Sequence, residues 1–194
     1  MQLTNTRTTY GWIALALHWI AAAGVIWLYL LGDRSADLMD LHTPEGRTAG
    51  LALRAEHVSF GALLFIFLAG RVIWALTQPK PAKLAKGRWI GLLARSVQYL
   101  FLAMIAVQII TGPAMVWLTA KPIQVFNWFA IPSPFHQRHR DWHEAIEPVH
   151  TYSAKLLWPL LILHVLGTAK SLVIDRDRTL QRMLWVRREH AAKP

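Results

Sequence analysis

The chain has 194 residues, 54% of them hydrophobic and only 16% charged, with a mean hydropathy of +0.29. A soluble domain carries about a quarter charged residues, and here the formal charge of +10 falls between long apolar runs. This composition points to a membrane protein with basic loops and away from nucleic-acid binding. Cysteine is absent, which excludes disulfides, thiolate-held iron–sulfur clusters and covalent c-type haem attachment.

Four runs reach the roughly 20 residues that a membrane-crossing helix needs. The first covers about 10–31 and holds one histidine, His18, and no charge. It is longer than the apolar core of a signal peptide and lacks a clear cleavage site, so it is expected to be retained. The connector over 32–56 is mixed polar, with room for a short helix. The second run, about 57–76, opens on His57 and contains Arg71. A short connector rich in proline and lysine leads to the third run, about 90–118, with Arg95 near its start and Gly112-Pro113 near its end.

Next comes an aromatic, proline-containing stretch, VFNWFAIPSPF, expected to lie along the membrane interface. The fourth run, about 149–174, contains His150 and His164. Such lengths of apolar sequence suit helices alone, and short connectors favour antiparallel neighbours. The expected fold is an all-α, integral membrane four-helix bundle. No composition change marks a second domain, so residues 1–194 are read as one unit.

Lysine and arginine set the expected orientation. The N-terminal segment, the 77–89 connector and the chain from Lys170 onward hold twelve, against six in the other two connectors. Eight of the eleven acidic residues lie in those two connectors. Both termini are therefore expected to be cytoplasmic.

The fourth run organises the candidate site. His150 and His164 are fourteen positions apart, close to four helical turns, so both imidazoles share a face about 21 Å apart along the axis. His18 and His164 lie at matching depths near the termini side, and His57 and His150 at matching depths near the other side. Each pair is placed to grip one haem iron from opposite faces. Neutral imidazole suits iron and costs less in lipid than a charge. Two such ligands fill both axial positions, which favours electron transfer over substrate activation. Taken singly, a membrane histidine is as well explained by hydrogen-bonded packing; the depth-matched pairing is what favours ligation.

Arg71 is fourteen residues after His57, which places it at the level of the His18–His164 pair, suited to a haem propionate. Arg54 and Arg95 are candidates for the same role, or snorkel to lipid headgroups. Gly61 either gives a macrocycle room against the backbone or packs closely on another helix.

At these residues the chain resembles the bacterial cytochrome b561 family of four-helix dihaem membrane cytochromes. The similarity lies in Tyr10 with Ala16-Leu17-His18-Trp19, in His57-Val58-Ser59 with Gly61 and Arg71, in Gly112, in the His150–His164 spacing, and in Thr179-Leu180 with Arg182-Met183. It covers nearly the whole chain, and the ordered set is more specific than any one motif. The resemblance implies two non-covalent b-type haems in a multi-pass protein of the bacterial inner membrane. It also implies exchange of electrons with a quinone and, in some relatives, with superoxide or another periplasmic donor. One departure concerns the outer ligand. The family's Trp-His-Glu triplet occurs here as Trp142-His143-Glu144, whereas the fourteen-residue spacing selects His150. His143 is thus the rival to His150.

Other features have a plainer reading. His136, His139 and His143 form a string that includes Arg138 and Arg140, read as a solvated interfacial loop whose cations would attract an anion. Lys155 faces a cavity or snorkels, Trp158-Pro159 is expected to kink the fourth helix, and His42 and His190 are read as solvated. Two competing functions keep other classes open. One is a haem-containing anchor subunit that wires a separate dehydrogenase or hydrogenase to quinone; the other is a small transporter without haem.

Overall fold

The structure is a computed structural model that describes residues 2–82, 87–177 and 179–184. Lys83, Lys86, Arg178, Arg187, Arg188 and Lys193, which carry part of the charge asymmetry, lie outside these residues, as does His190. The elements run α1 (Trp12–Asp40), α2 (Pro44–Thr77), α3 (Arg88–Trp117), β1 (Ile123–Val125), β2 (Phe129–Ile131), α4 (Arg140–Val173) and α5 (Thr179–Leu184). The first four α-helices are each long and apolar enough to cross a membrane, and the expected four-helix architecture is present.

The bundle buries little side-chain surface because its solvent is lipid. Ala21, Leu68, Ile105 and Leu157, one from each long helix, form the buried centre, flanked by Val25, Leu28, Leu64 and Phe101. Outward-facing Ile66 and Ile110 remain 74% and 69% exposed. In water such surface would drive aggregation; among acyl chains it costs nothing, while the helical backbone satisfies its own polar groups.

At one end, called here the termini end, the N-terminal segment, the connector after α2 and α5 are laced together. Ala82 N–H donates to Arg7 O at 2.8 Å, Asn5 Nδ2 to Pro79 O at 3.2 Å and Arg182 Nη1 to Ala82 O at 2.7 Å. Trp19 Nε1 donates to Met183 O at 2.8 Å, which ties α5 to α1.

The far end departs from expectation in three places. The mixed polar 32–56 stretch is not a connector with a short helix: α1 continues to Asp40 and α2 begins at Pro44, leaving three linking residues. Nothing between Gly32 and Asp40 breaks a helix once its polar side chains face water. Thr43 Oγ1 then accepts from Gly46 N–H at 3.0 Å, and Pro44 occupies the first turn, together a strong helix start. His42, at φ 56, makes the left-handed exit from α1. The resulting helical hairpin projects beyond the 31 and 57 boundaries read from hydropathy.

The aromatic stretch after α3 folds into a small antiparallel hairpin, Ile123 opposite Ile131 and Val125 opposite Phe129. Ile123 and Val125 are buried while Trp128 and Phe129 point outward. Ser59 of α2 fastens it, accepting from Phe126 N–H at 2.9 Å. The fourth helix starts nine residues earlier than its apolar run, at Arg140. His143 is therefore helical rather than part of a loop, and His139 is the residue before the helix, its ring between Phe135 and Trp142. Arg140 Nε donates to Glu144 Oε1 at 2.6 Å, and this contact holds the Glu144 carboxyl below the usual carboxylate range. Pro148 and Pro159 both sit inside α4 without ending it. Trp158 stacks on Tyr29 of α1, ring centres 5.3 Å apart and planes 10° from parallel.

Candidate functional site

The four membrane histidines meet in two pairs. His18 of α1 faces His164 of α4 with ring centres 6.1 Å apart and planes at 51°. His57 of α2 faces His150 of α4 with ring centres 6.3 Å apart and planes at 80°. The first pair lies toward the termini end and the second toward the far end, with the buried Ala21–Leu157 cluster between them in sequence depth. A metal bonded to one nitrogen of each ring, at about 2 Å per bond, sets opposing imidazole centres about 6 Å apart. Both pairs have that separation.

The far pair is held in one tautomer. His57 Nδ1 lies 2.8 Å from Leu28 O; a carbonyl only accepts, so Nδ1 carries the proton and Nε2 keeps its lone pair. Gly32 makes this approach possible. It is one turn after Leu28, and a Cβ there would stand 3.3 Å from both Cε1 and Nδ1 of His57. On the other side His150 Nδ1 lies 2.8 Å from Thr111 Oγ1, and that hydroxyl donates to Val107 O at 2.7 Å. The hydroxyl proton is thereby committed, so Thr111 accepts from His150 Nδ1–H and Nε2 is again free. Gln108 braces the same turn of α4, donating to His150 O and Ser153 Oγ, both at 2.8 Å. Such outer partners orient ligating imidazoles and raise their basicity.

Replacing Gly32 with valine is expected to push the His57 ring off Leu28 O and out of register with His150. Nitrogen NMR of the His57 ring in Gly32→Val should show Nδ1–H released from its carbonyl partner; an unchanged signal would show that the ring tolerates the displacement.

The termini-end pair is built differently. Among the described residues, neither ring nitrogen of His18 or His164 makes a hydrogen bond. Trp19 sets its edge against His18, ring centres 5.2 Å apart, and Phe101 does the same to His164 at 5.9 Å. Arg71 is half-buried at this level and makes no ion pair among the described residues. One turn on, Trp74 Nε1 is buried without an acceptor among the described residues. A half-buried cation beside an orphaned donor suits an anionic group such as a carboxylate.

The other residues singled out from sequence are placed as follows. Arg54 is exposed on the projecting part of α2. Arg95 is exposed and its Nε donates to Gly91 O of its own helix at 3.3 Å. A Cβ on Gly61 would meet only Leu28 Cδ2, at 3.9 Å, so this glycine leaves open space rather than a tight helix contact. Lys155 is exposed on α4. His143 Nδ1 is 3.9 Å from Glu147 Oε2, and no cluster of three or more histidine or acidic side chains among the described residues is arranged to hold a metal ion. Sequence reading missed Leu28 O, Gly32 and Thr111. A threonine in an apolar helix is too common to stand out, and a backbone carbonyl leaves no trace in composition.

Apolar helices that bring facing imidazoles together across their interior are suited to hold a metal cofactor within a membrane. The donor set, imidazole nitrogens from facing rings with a cation nearby, fits haem better than a small hydrated ion. The comparisons with known proteins agree. A family model described as prokaryotic cytochrome b561 matches residues 9–185. Cytochrome b561 homolog 2 of Escherichia coli (strain K12) is 31% identical over 187 residues, covering 95% of each chain. The chain belongs to the prokaryotic cytochrome b561 family, and with it to the multi-pass bacterial membrane proteins that transfer electrons through b-type haem.

Proposed function

We propose that this chain carries two b-type haems and moves electrons across the bacterial inner membrane between a quinone and a one-electron donor on the periplasmic side, superoxide being one such donor. His18 and His164 would hold one iron, His57 and His150 the other, with both termini in the cytoplasm. When bound, haem would supply a one-electron couple, and the four imidazoles would hold it.

The observation that carries this reading is the pair of near-equal imidazole separations, 6.1 and 6.3 Å, at two levels of one bundle. Arg71 would pair with a propionate at the termini end, and Trp74 N–H would add a second donor there. Gly61 gives the macrocycle room along α2. Arg54 and Arg95, being exposed, serve the headgroup zone. Leu28 O and Thr111 keep the far imidazoles in the ligating tautomer.

The test is the haem content of protein purified in mild detergent, with a reduced-minus-oxidised spectrum. Two haems b per polypeptide with low-spin bis-imidazole spectra are expected, and the reduced protein should be reoxidised by a soluble ubiquinone analogue. One haem would mean that one pair is not a ligand pair. None, from cells supplied with haem, would overturn the reading.

A further inference from the structure

One strand of the hairpin after α3 is covered by the bundle and the other is not. Residues directly opposite each other on paired strands project from the same face. Val125 with Phe129, and Ile123 with Ile131, therefore share one side of the hairpin. β1 is the strand that packs on α2 and α3, and its Ile123 and Val125 are buried. Phe129, opposite the fully buried Val125, is 52% exposed, and Trp128 in the turn is 70% exposed. β2 thus overhangs the helices, with an apolar underside that the described residues leave open.

Ser59 fixes the level of this overhang. Its Oγ accepts from Phe126 N–H at 2.9 Å and lies 3.2 Å from Gln124 O. Phe126 packs edge-on against Phe60 of α2, ring centres 5.1 Å apart, and the Trp128 ring is 5.2 Å from that of Phe126. Phe126 keeps a left-handed φ of 47°, which a residue with a Cβ holds only where its surroundings impose it. The seat of the turn on α2 is therefore specified. Before Ser59, Arg54 and Glu56 are exposed charges; after it, Phe65 and Ile66 are exposed and apolar. The turn sits where the surface of α2 changes from charged to lipid-facing.

A groove of about 360 Å³ on the hairpin is lined by Gln124, Phe126, Asn127, Trp128, Phe129 and Ala130. Two amides beside three aromatic rings match the zone of a bilayer where headgroups and ester carbonyls meet acyl chains, and tryptophan favours that zone. We propose that the 123–131 hairpin is a lipid-binding anchor at the far-end membrane surface. Trp128 and Phe129 enter the leaflet, lipid fills the groove, and Ser59 ties that contact to the turn of α2 that carries His57. The occupant is lipid because the overhang adjoins, through Phe60, a helix surface already suited to acyl chains. The anchor does not depend on how many haems the chain holds.

The chain has no cysteine, so a single introduced one carries a nitroxide spin label alone. Phe129→Cys puts the label on the underside of the overhang and Ala130→Cys on its other face. Asp37→Cys, on the projecting part of α1, and Ile66→Cys, facing outward on α2, give the water and acyl-chain references. Each full-length variant is placed in vesicles of phosphatidylethanolamine and phosphatidylglycerol. Electron paramagnetic resonance then measures collisions of the label with oxygen and with a water-soluble nickel complex. The label at 129 should lose most of the nickel contact seen at 37, its oxygen contact should rise toward that at 66, and the label at 130 should fall between 129 and 37. Nickel contact at 129 equal to that at 37 would put the hairpin in water and overturn the proposal. So would dipolar broadening at 129 that disappears on dilution with unlabelled protein, because it would give the overhang to a second copy of the chain. Adding Trp128→Ser should restore nickel contact at 129, and adding Ser59→Ala should raise the mobility of the label. An unchanged spectrum in either would remove that residue from the anchor. If a doubly changed protein does not assemble, the contrast among positions 129, 130, 37 and 66 still decides.

Discussion

The His150→Ala variant is expected to purify with one haem fewer per polypeptide than the wild type, and His143→Ala with the wild-type number. The two histidines are seven residues apart, two turns, so both lie on nearly one face of α4 and differ by about 10 Å along its axis. Direction alone does not choose between them; depth and surroundings do. His150 stands opposite His57 with ring centres 6.3 Å apart and has its Nδ1 fixed by Thr111. The Nδ1 of His143 lies 3.9 Å from Glu147 Oε2, beyond hydrogen-bond distance. Its neighbour Glu144, which belongs to the family-like Trp-His-Glu triplet, is taken by Arg140 at 2.6 Å. Moving the ligand to His143 would also leave His57 without an opposite number at its own level. Haem assayed as the pyridine haemochrome, divided by protein from amino-acid analysis, checks the prediction. Loss on changing His143 with retention on changing His150 would assign the far ligand to the triplet.

A large effect on stability is expected from Gly50→Val, at the crossing of the two projecting helices. A Cβ on residue 50 would lie 2.6 Å from Met39 Cγ and 2.9 Å from Ser35 O. The methionine tip can move, but the backbone oxygen cannot without separating α1 from α2. Separation would also break the bond from Ser35 Oγ to Gly50 O, 2.8 Å long and buried. Overpacking of this kind costs about 1–3 kcal/mol, and the lost buried hydrogen bond about 1 kcal/mol more. Thermal unfolding in detergent should fall by roughly 5 °C or more, with faster proteolysis of the projecting hairpin. An unchanged midpoint would show that the helices part there at little cost.

The sequence was most informative where periodicity and chemistry coincide. Fourteen residues between His150 and His164 return the helix to one face, and matching depths chose the partners on α1 and α2 that the structure sets opposite them. Hydropathy located the spans but not the helices. Asp33 to Asp40 leave the apolar phase without leaving helical conformation, and the true start of α2 was signalled by Thr43-Pro44 rather than by hydrophobicity. The 123–131 hairpin was hidden because its strands are three residues long, too short for alternation to show. It is fastened by Ser59, a contact from α2. Thr111 and Gly32 were hidden for the same reason. Each acts through a neighbour brought in by packing, which linear spacing does not reveal.

One helix, α4, contributes a histidine to both pairs, and this makes it a ruler. The rise between His150 and His164 is set by backbone hydrogen bonds, at about 1.5 Å per residue, rather than by the packing of separate segments. Adding or deleting a single residue between them would turn one imidazole by about 100° away from its partner. Only changes near a full repeat would keep both in phase, and each would alter the separation of the two pairs by about 5 Å. The spacing is therefore free to vary only in coarse steps, whereas lipid-facing residues in the same stretch, such as Leu163 or Ile162, can drift at little cost. Across the membrane, distance is fixed by the backbone of α4; at each end, chemistry is left to the residues that surround the rings.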